Sequence, residues 1–181
     1  MAQWTLEDRF LALSTHWVTL VGERYTDHRG KRLEYYRVER ADSVIVLPLH
    51  RESLLTALPA FRPGIGEVCL DFPGGRIGER SVEEAARDLL LQELNLPAEM
   101  LLDLEPLNRN GWAVDSSFSD QRLFGMLARL RSDPLPEGAA YERFALTPEG
   151  RRDLLHAIAC AQCRLVLLEY LLRDGREEAS P

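Results

Sequence analysis

The chain has 181 residues, 45% of them apolar and 28% charged, with a formal net charge of -7. That length fits one domain, or one domain with a terminal appendage, and the apolar share is enough for a core. An acidic chain without a lysine- or arginine-rich face is a poor broad binder of nucleic acid. No apolar run approaches the roughly 20 residues of a membrane span, and three cysteines are too few for a disulfide scaffold. The start, Met1-Ala2-Gln3-Trp4, lacks the basic and apolar regions of a signal peptide, so a cytoplasmic location is expected.

Leu6 to His16 reads as a short helix or an irregular arm, and Trp17 to Gly22 as a strand. Asp27-His28-Arg29-Gly30 is a turn, so Val18 to Arg24 and Arg32 to Arg40 are expected to pair as a hairpin. Ser43 to Leu49 is a compact apolar strand, placed centrally. Leu54 to Leu58 reads equally as strand or helical turn. Val68 to Phe72 alternates and stops at Pro73-Gly74-Gly75. Ser81 is a good N-cap with Glu84 three residues on as a capping-box partner. Val82, Ala85, Ala86, Leu89 and Leu90 then recur at helical spacing, and Pro97 ends the helix. Leu123 to Leu130 is another buried strand, and Pro134 to Ala140 a loop. From Pro148 an apolar stripe through Leu154, Leu155, Ile158, Val166, Leu167 and Leu171 predicts one long helix, with Gly175 as its C-cap. The pattern predicts an α/β (α+β) fold, a mixed sheet sandwiched between helices. The expected organisation is an N-terminal arm and hairpin over 1–40, a main domain over 41–175 and a flexible tail over 176–181.

Gly74-Gly75-Arg76 before a helix lets backbone approach a ligand and exposes amides where phosphate is favoured. The wider pattern resembles the Nudix family, and within it the ADP-ribose and ADP-sugar pyrophosphatases. The family box runs Gly, five residues, Glu, seven residues, then Arg-Glu-apolar-x-Glu-Glu-x-Gly-apolar. Phe61-Arg62-Pro63-Gly64, Glu67 to Gly75, Ser119-Asp120-Gln121 and the helical stretch Asp153 to Leu172 extend the similarity over about 40–175. With Gly74 at the first position, Arg80 stands on the early Glu, with Glu79 beside it. Asp88 then stands on the arginine, Leu89 on the first helical ligand Glu and Gln92 on the second. Glu93 keeps the third, and Asn95 replaces the closing glycine.

The resemblance implies Mg²⁺ held by carboxylates one helical turn apart, neutralising a diphosphate and activating water. Leu89 offers no ligand and Gln92 no charge, so Glu93 and Glu79 are the remaining candidate metal ligands. Two missing ligands are expected to cost at least roughly a factor of 10²–10³ in rate. Leu89 alternatively fills the old metal cavity with apolar packing. Asp88 shares a stripe with Glu84 and Gln92, and a Glu84–Asp88 pair is set against a solvated acidic face. Arg62 is placed either on the diphosphate or in a structural ion pair. Asp71 is a candidate for a ribose or sugar, Glu67 a surface residue, and Arg76 a phosphate contact. Glu93 and Glu137 are the candidate catalytic carboxylates, with Glu142 near the latter. Trp112 and Phe118 either stack on a base or pack their loop.

His156, Cys160 and Cys163 fall at i, i+4 and i+7 of what reads as one helix. A thiolate–imidazole zinc site with one external ligand is weighed against buried apolar packing, which a leucine-rich helix favours. Inside a helix, Cys160 lacks the helix N-terminus that activates a thiol. Three functional readings follow: a Nudix-fold protein with impaired catalysis that binds a nucleoside-diphosphate-linked ligand, an active metal-dependent hydrolase with a rewired site, or a non-catalytic interaction protein. The resemblance also implies a homodimer built with the N-terminal arm.

Overall fold

The computed structural model describes residues 3–177. Two compact units emerge, one from residues up to 42 with 113–122, the other from 43–112 with 123 onward.

The first unit is an antiparallel sheet of β1 (Thr5–Ser14), β2 (Thr19–Thr26) and β3 (Arg32–Glu39) in that order. The expected hairpin is β2–β3, in register from Thr19↔Glu39 to Thr26↔Arg32. The segment expected as helix or arm is instead strand β1, paired along β2 from Thr5↔Thr26 to Ser14↔Thr19. Its side chains are almost all exposed, so the burial alternation that marks a strand in sequence is missing. Pairing with β2 overrides local preference. On β2, Glu23 is fully buried beside Val21, with Arg9 and Arg37 on its carboxylate at 2.9 Å each. The segment 113–122 closes on β3 through the Val38 N–H, which donates to Phe118 O at 2.7 Å.

The second unit holds a seven-stranded mixed sheet. Its centre is β4 (Ser43–His50), parallel to β11 (Arg122–Leu130) from Ser43↔Leu123 to Leu49↔Arg129. β5 (Ser53–Thr56) and β12 (Glu142–Ala145) extend it on one side, so the ambiguous Leu54 segment is a strand. β8 (Gly74–Arg76) pairs β4, β9 (Leu101–Pro106) pairs β11, and the short β10 (Trp112–Ala113) ends the path. A separate hairpin joins β6 (Ala60–Arg62) to β7 (Glu67–Cys69).

Helix α1 (Val82–Leu94) forms as its sequence predicts. The Ser81 hydroxyl accepts the Glu84 N–H, the Glu84 carboxylate accepts the Ser81 N–H, and Asn95 closes the helix in the left-handed region at φ 54°. Its face of Ala85, Ala86, Leu89, Leu90 and Leu94 packs on Val44, Val46, Leu55, Met126 and Ala128. The opposite face of β11 meets the C-terminal helical region, where Val166 Cγ1 lies 3.1 Å from where a Cβ on Gly125 would stand. Burial on both faces explains why β4 and β11 read as continuous apolar runs. The single long helix expected from Pro148 is two helices, α2 (Pro148–Ala157) and α3 (Ala161–Glu177). Ile158 leaves the helix to bridge Leu70, a tertiary contact the apolar stripe does not announce. α3 runs through Gly175, which is therefore no C-cap. From residue 178 onward the expected tail lies outside the described residues. Among the described residues no helix is long and apolar enough to cross a membrane.

Candidate functional site

The β6–β7 hairpin places Arg62. Its carbonyl accepts the Ile65 and Gly66 N–H groups at 3.2 and 2.9 Å, with Gly66 at φ 71° in the region glycine favours. The chain then runs through Cys69 and Leu70 into the core, delivering Asp71 at 9% exposure. The Ala57 N–H donates to the Asp71 carbonyl at 3.1 Å. Arg62 Nε donates to Asp71 Oδ2 at 2.7 Å, so of its two expected roles this geometry displays the ion pair.

The glycine turn follows at once. Gly74 and Gly75 pair with Ile45 and Val44 of β4. A Cβ on Gly74 would stand 3.1 Å from Ile45 Cγ1, and one on Gly75 would stand 3.0 Å from Leu89 Cδ2. The glycines are thus needed for close packing of sheet, loop and helix. Gly78, at φ 65°, makes the turn that leads to Ser81. Arg80 fastens this loop: it donates to the carbonyls of Arg76 and Ile77 at 2.7 and 3.0 Å and pairs with Asp88 at 2.7 Å.

Glu93 projects back from α1, and its Oε1 accepts the Gly74 N–H at 3.3 Å. Burial pushes its carboxyl above the ordinary 4.5. The Gly74 N–H and the Arg62 guanidinium oppose that rise, and Asp71 reinforces it. Arg62, Asp71, Gly74 and Glu93 therefore form one cluster. Gln92 is exposed, whereas Leu89 is 6% exposed within the core.

Other expected residues stand elsewhere. Glu79 is exposed in the loop before α1, and Arg76 pairs Ser43 at the sheet edge. Glu137 is exposed beside Gly138, whose carbonyl accepts Asn95 Nδ2 at 3.2 Å at the far end of α1. The Trp112 ring is half-buried against Gly125, with Cζ3 at 3.2 Å from a Cβ there. A cleft of about 380 Å³ opens beside the first turn of α1, lined by Glu83, Asn108, Arg109 and Phe124 among others. None of the site residues expected from the sequence lines it.

A second polar cluster involves the cysteines, all three of them free. The break after α2 takes His156 out of the expected trio, and Asp71 takes its place. Ligand atoms of Asp71, Cys160 and Cys163 all lie within 4.8 Å of one another. Cys160 is not inside a helix but immediately before α3, and its carbonyl accepts the Arg164 N–H at 3.0 Å as the first bond of that helix. The Cys163 thiol, then the N–H groups of Cys163 and Gln162, hold the Cys160 thiol down to about 6 against burial. Cys163 is pushed up by the Cys160 sulfur and by burial. The sequence signal for this pair was its Cys-x-x-Cys spacing, obscured by the apparent continuity of the helix.

No family model matches the chain. A crystal structure of an ADP compounds hydrolase superimposes with a TM-score of 0.77 at 21% sequence identity, over 98% of this chain and 96% of that one. The fold is Nudix-like. Where the family box has Glu and then Arg, the chain has Arg80 and Asp88, opposite in sign at both places and bonded to each other. Arg80 is thus a loop fastener. Leu89, which the resemblance sets at the first helical carboxylate of the box, is sealed under Gly75. Of the three helical positions only Glu93 offers a carboxylate, and that carboxylate already accepts the Gly74 N–H. Mg²⁺ asks for an octahedral shell of hard oxygens, and this donor set does not fit it.

Proposed function

We propose that this Nudix-like protein binds a diphosphate-containing nucleotide of the ADP-compound class and does not cleave it efficiently with Mg²⁺. The observation that carries the reading is Leu89, packed under Gly75 at 6% exposure where the resemblance calls for a metal carboxylate. The ligand class rests on the glycine turn and on likeness to a hydrolase of ADP compounds. Arg62, Asp71, Gly74, Gly75 and Arg76 are the proposed ligand contacts, with Trp112 as a candidate base platform. In this reading the Arg62–Asp71 pair opens to admit phosphate.

Calorimetry with ADP-ribose, with and without Mg²⁺, tests it when the same samples are assayed for AMP. Binding that is indifferent to metal, with no AMP above the blank, is expected. Metal-dependent AMP release overturns it and establishes the second reading, a rewired hydrolase. That reading is favoured by one observation, the half-buried Glu93 whose proton affinity is raised beside the loop. Glu79 or Glu137 would be its further carboxylates, and Glu93→Gln would then abolish turnover. Absence of both binding and AMP shifts the assignment to an interaction protein, with a homodimer through the N-terminal strands as the first assembly to measure.

A further inference from the structure

The Ile158–Leu70 bridge brings the start of α3 against the segment after β7 that carries Asp71. Two cysteines and a carboxylate consequently converge in the second unit. Cys160 occupies the N-cap position, where the N–H groups of Gln162 and Cys163 face its sulfur. An anion at that place is favoured by these amides and the helix dipole. Cys160 is half-buried and reachable, whereas Cys163 is 3% exposed. Cys163 Sγ lies 3.8 Å from Asp71 Oδ1, and Asp71 is held in place from its other oxygen by Arg62.

This arrangement separates two chemical roles. The outer sulfur has hydrogen-bond donors for a thiolate. The inner sulfur has a buried carboxylate to take its proton. Residues three apart at the start of a helix are neighbours at about 5–6 Å between Cβ atoms, so a small rearrangement brings the pair to disulfide distance. A metal is the competing occupant. Two sulfurs and one carboxylate oxygen leave a zinc site one ligand short, and the Arg62 guanidinium already neutralises that carboxylate at 2.7 Å.

We propose that Cys160 and Cys163 form a thiol–disulfide exchange pair, in which Cys160 attacks a low-molecular-weight disulfide and Cys163 resolves the adduct. In the first step the Cys160 thiolate bonds to one sulfur of the disulfide RSSR, whose S–S bond breaks, and RS⁻ leaves. In the second, the Cys163 S–H gives its proton to Asp71 and its sulfur attacks Cys160. The mixed disulfide breaks, a second RS⁻ leaves, and Asp71 releases the proton to solvent. The protein loses two electrons and two protons, and RSSR is reduced to two molecules of RSH. Asp71 acts here through Cys163 as a positioning and proton-accepting residue. The exchange shares Asp71 with the proposed nucleotide site but requires no nucleotide, and its readout, cysteine modification, is separate from nucleotide binding and AMP release.

The test treats the reduced full-length protein with oxidised glutathione, quenches with an alkylating agent and maps the cysteines by mass spectrometry. A Cys160–Cys163 disulfide with Cys69 left free is expected. Cys163→Ser should trap glutathione on Cys160, and Cys160→Ser should leave Cys163 unmodified. Asp71→Asn should raise the ratio of mixed disulfide to internal disulfide, with the adduct still on Cys160; a merely structural role would not shift that ratio. Adduct forming first on Cys69 or Cys163 overturns the proposal. Tight stoichiometric binding of zinc alone that shields both thiols of the reduced protein also overturns it. Should Cys163→Ser fail to fold, alkylation of the reduced unsubstituted chain decides. Cys160 reacting at least about tenfold faster than Cys69 and Cys163 supports exchange, and equal rates refute it.

Discussion

Leu89 and Gly75 meet across the junction of loop and helix, and their contact measures how completely the space under the loop is filled. A methyl group at Gly75 would stand 3.0 Å from Leu89 Cδ2, the mobile end of a side chain. Gly75→Ala should therefore cost about 1 kcal/mol, an overpacking cost softened by movement of Leu89. Leu89→Ala should cost about 3 kcal/mol through its cavity. In the double variant the new methyl enters that cavity, so the combined loss should fall short of the sum by about 0.5–1 kcal/mol in urea unfolding. Strict additivity would show that the two residues do not share this space. Glu93 offers a second test at the same scale. Its folded carboxyl holds a proton more tightly than the ordinary 4.5. That contribution is whole below 4.5 and is lost as pH rises through the folded value, so the charged carboxylate weighs against folding at neutral pH. Glu93→Gln retains an oxygen for the Gly74 N–H and should be more stable than wild type at neutral pH, with the advantage vanishing below 4.5. A pH-independent difference would place the effect elsewhere.

Among the elements, α1 and the loop before it show how a helix persists without its carboxylates. Arg80 ties together the Arg76 and Ile77 carbonyls and Asp88. Arg80→Glu should cost about 1–2 kcal/mol, more than an isolated surface pair, because it also breaks bonds to two carbonyls. Adding Asp88→Arg should recover about 0.5 kcal/mol through the restored pair, measured by a double-mutant cycle. An absent coupling energy would mean the pair does not fasten the loop. α1 was legible in the sequence because every local signal agreed: Ser81 and Glu84 at its start, apolar spacing along it, and Pro97 beyond its end. β4 and β11 were legible as apolar runs. The division of α2 from α3 was not, because the stripe through Leu154 and Ile158 continues to Val166 without Gly or Pro, and Cys is not among the residues that mark an N-cap. The break is made by the Ile158–Leu70 bridge, which no local pattern encodes. The candidate site divides in the same way. Glu93 and Gly74 were singled out in the sequence by the resemblance to the box, and the structure brings them into contact. The Arg62–Asp71 pair and the approach of Asp71 to Cys163 depend on a hairpin and a helix start whose partners lie far along the chain.

For the molecule as a whole, the first unit carries its own acid sensitivity. Glu23 is fully buried and bonded by Arg9, Arg37 and Tyr25. Arg37 above all, with Tyr25 and Arg9 adding, holds its carboxyl down to about 2 from 4.5, against the opposing effect of burial. A carboxyl depressed on folding contributes stability that is fully present above its unfolded value and lost as pH falls through the folded one. The first unit should therefore weaken progressively between 4.5 and about 2. Trp4 and Trp17 belong to this unit and Trp112 to the other, so fluorescence of variants retaining only one tryptophan reports each unit separately. Glu23→Gln removes the charge while leaving two arginines around a buried amide. It should lower the stability seen by Trp4 or Trp17 by about 3 kcal/mol at neutral pH, the usual scale for breaking a buried pair. Because the substituted side chain does not titrate, the same variant should show a flatter stability profile from 4.5 to 2 than wild type. A parallel profile with full pH dependence would assign the acid sensitivity to another carboxylate, such as Glu7, whose hydrogen bonds from Thr26 and Arg32 also lower its value. The two outcomes differ in slope as well as in midpoint, so a pH series of urea melts on the two proteins separates them.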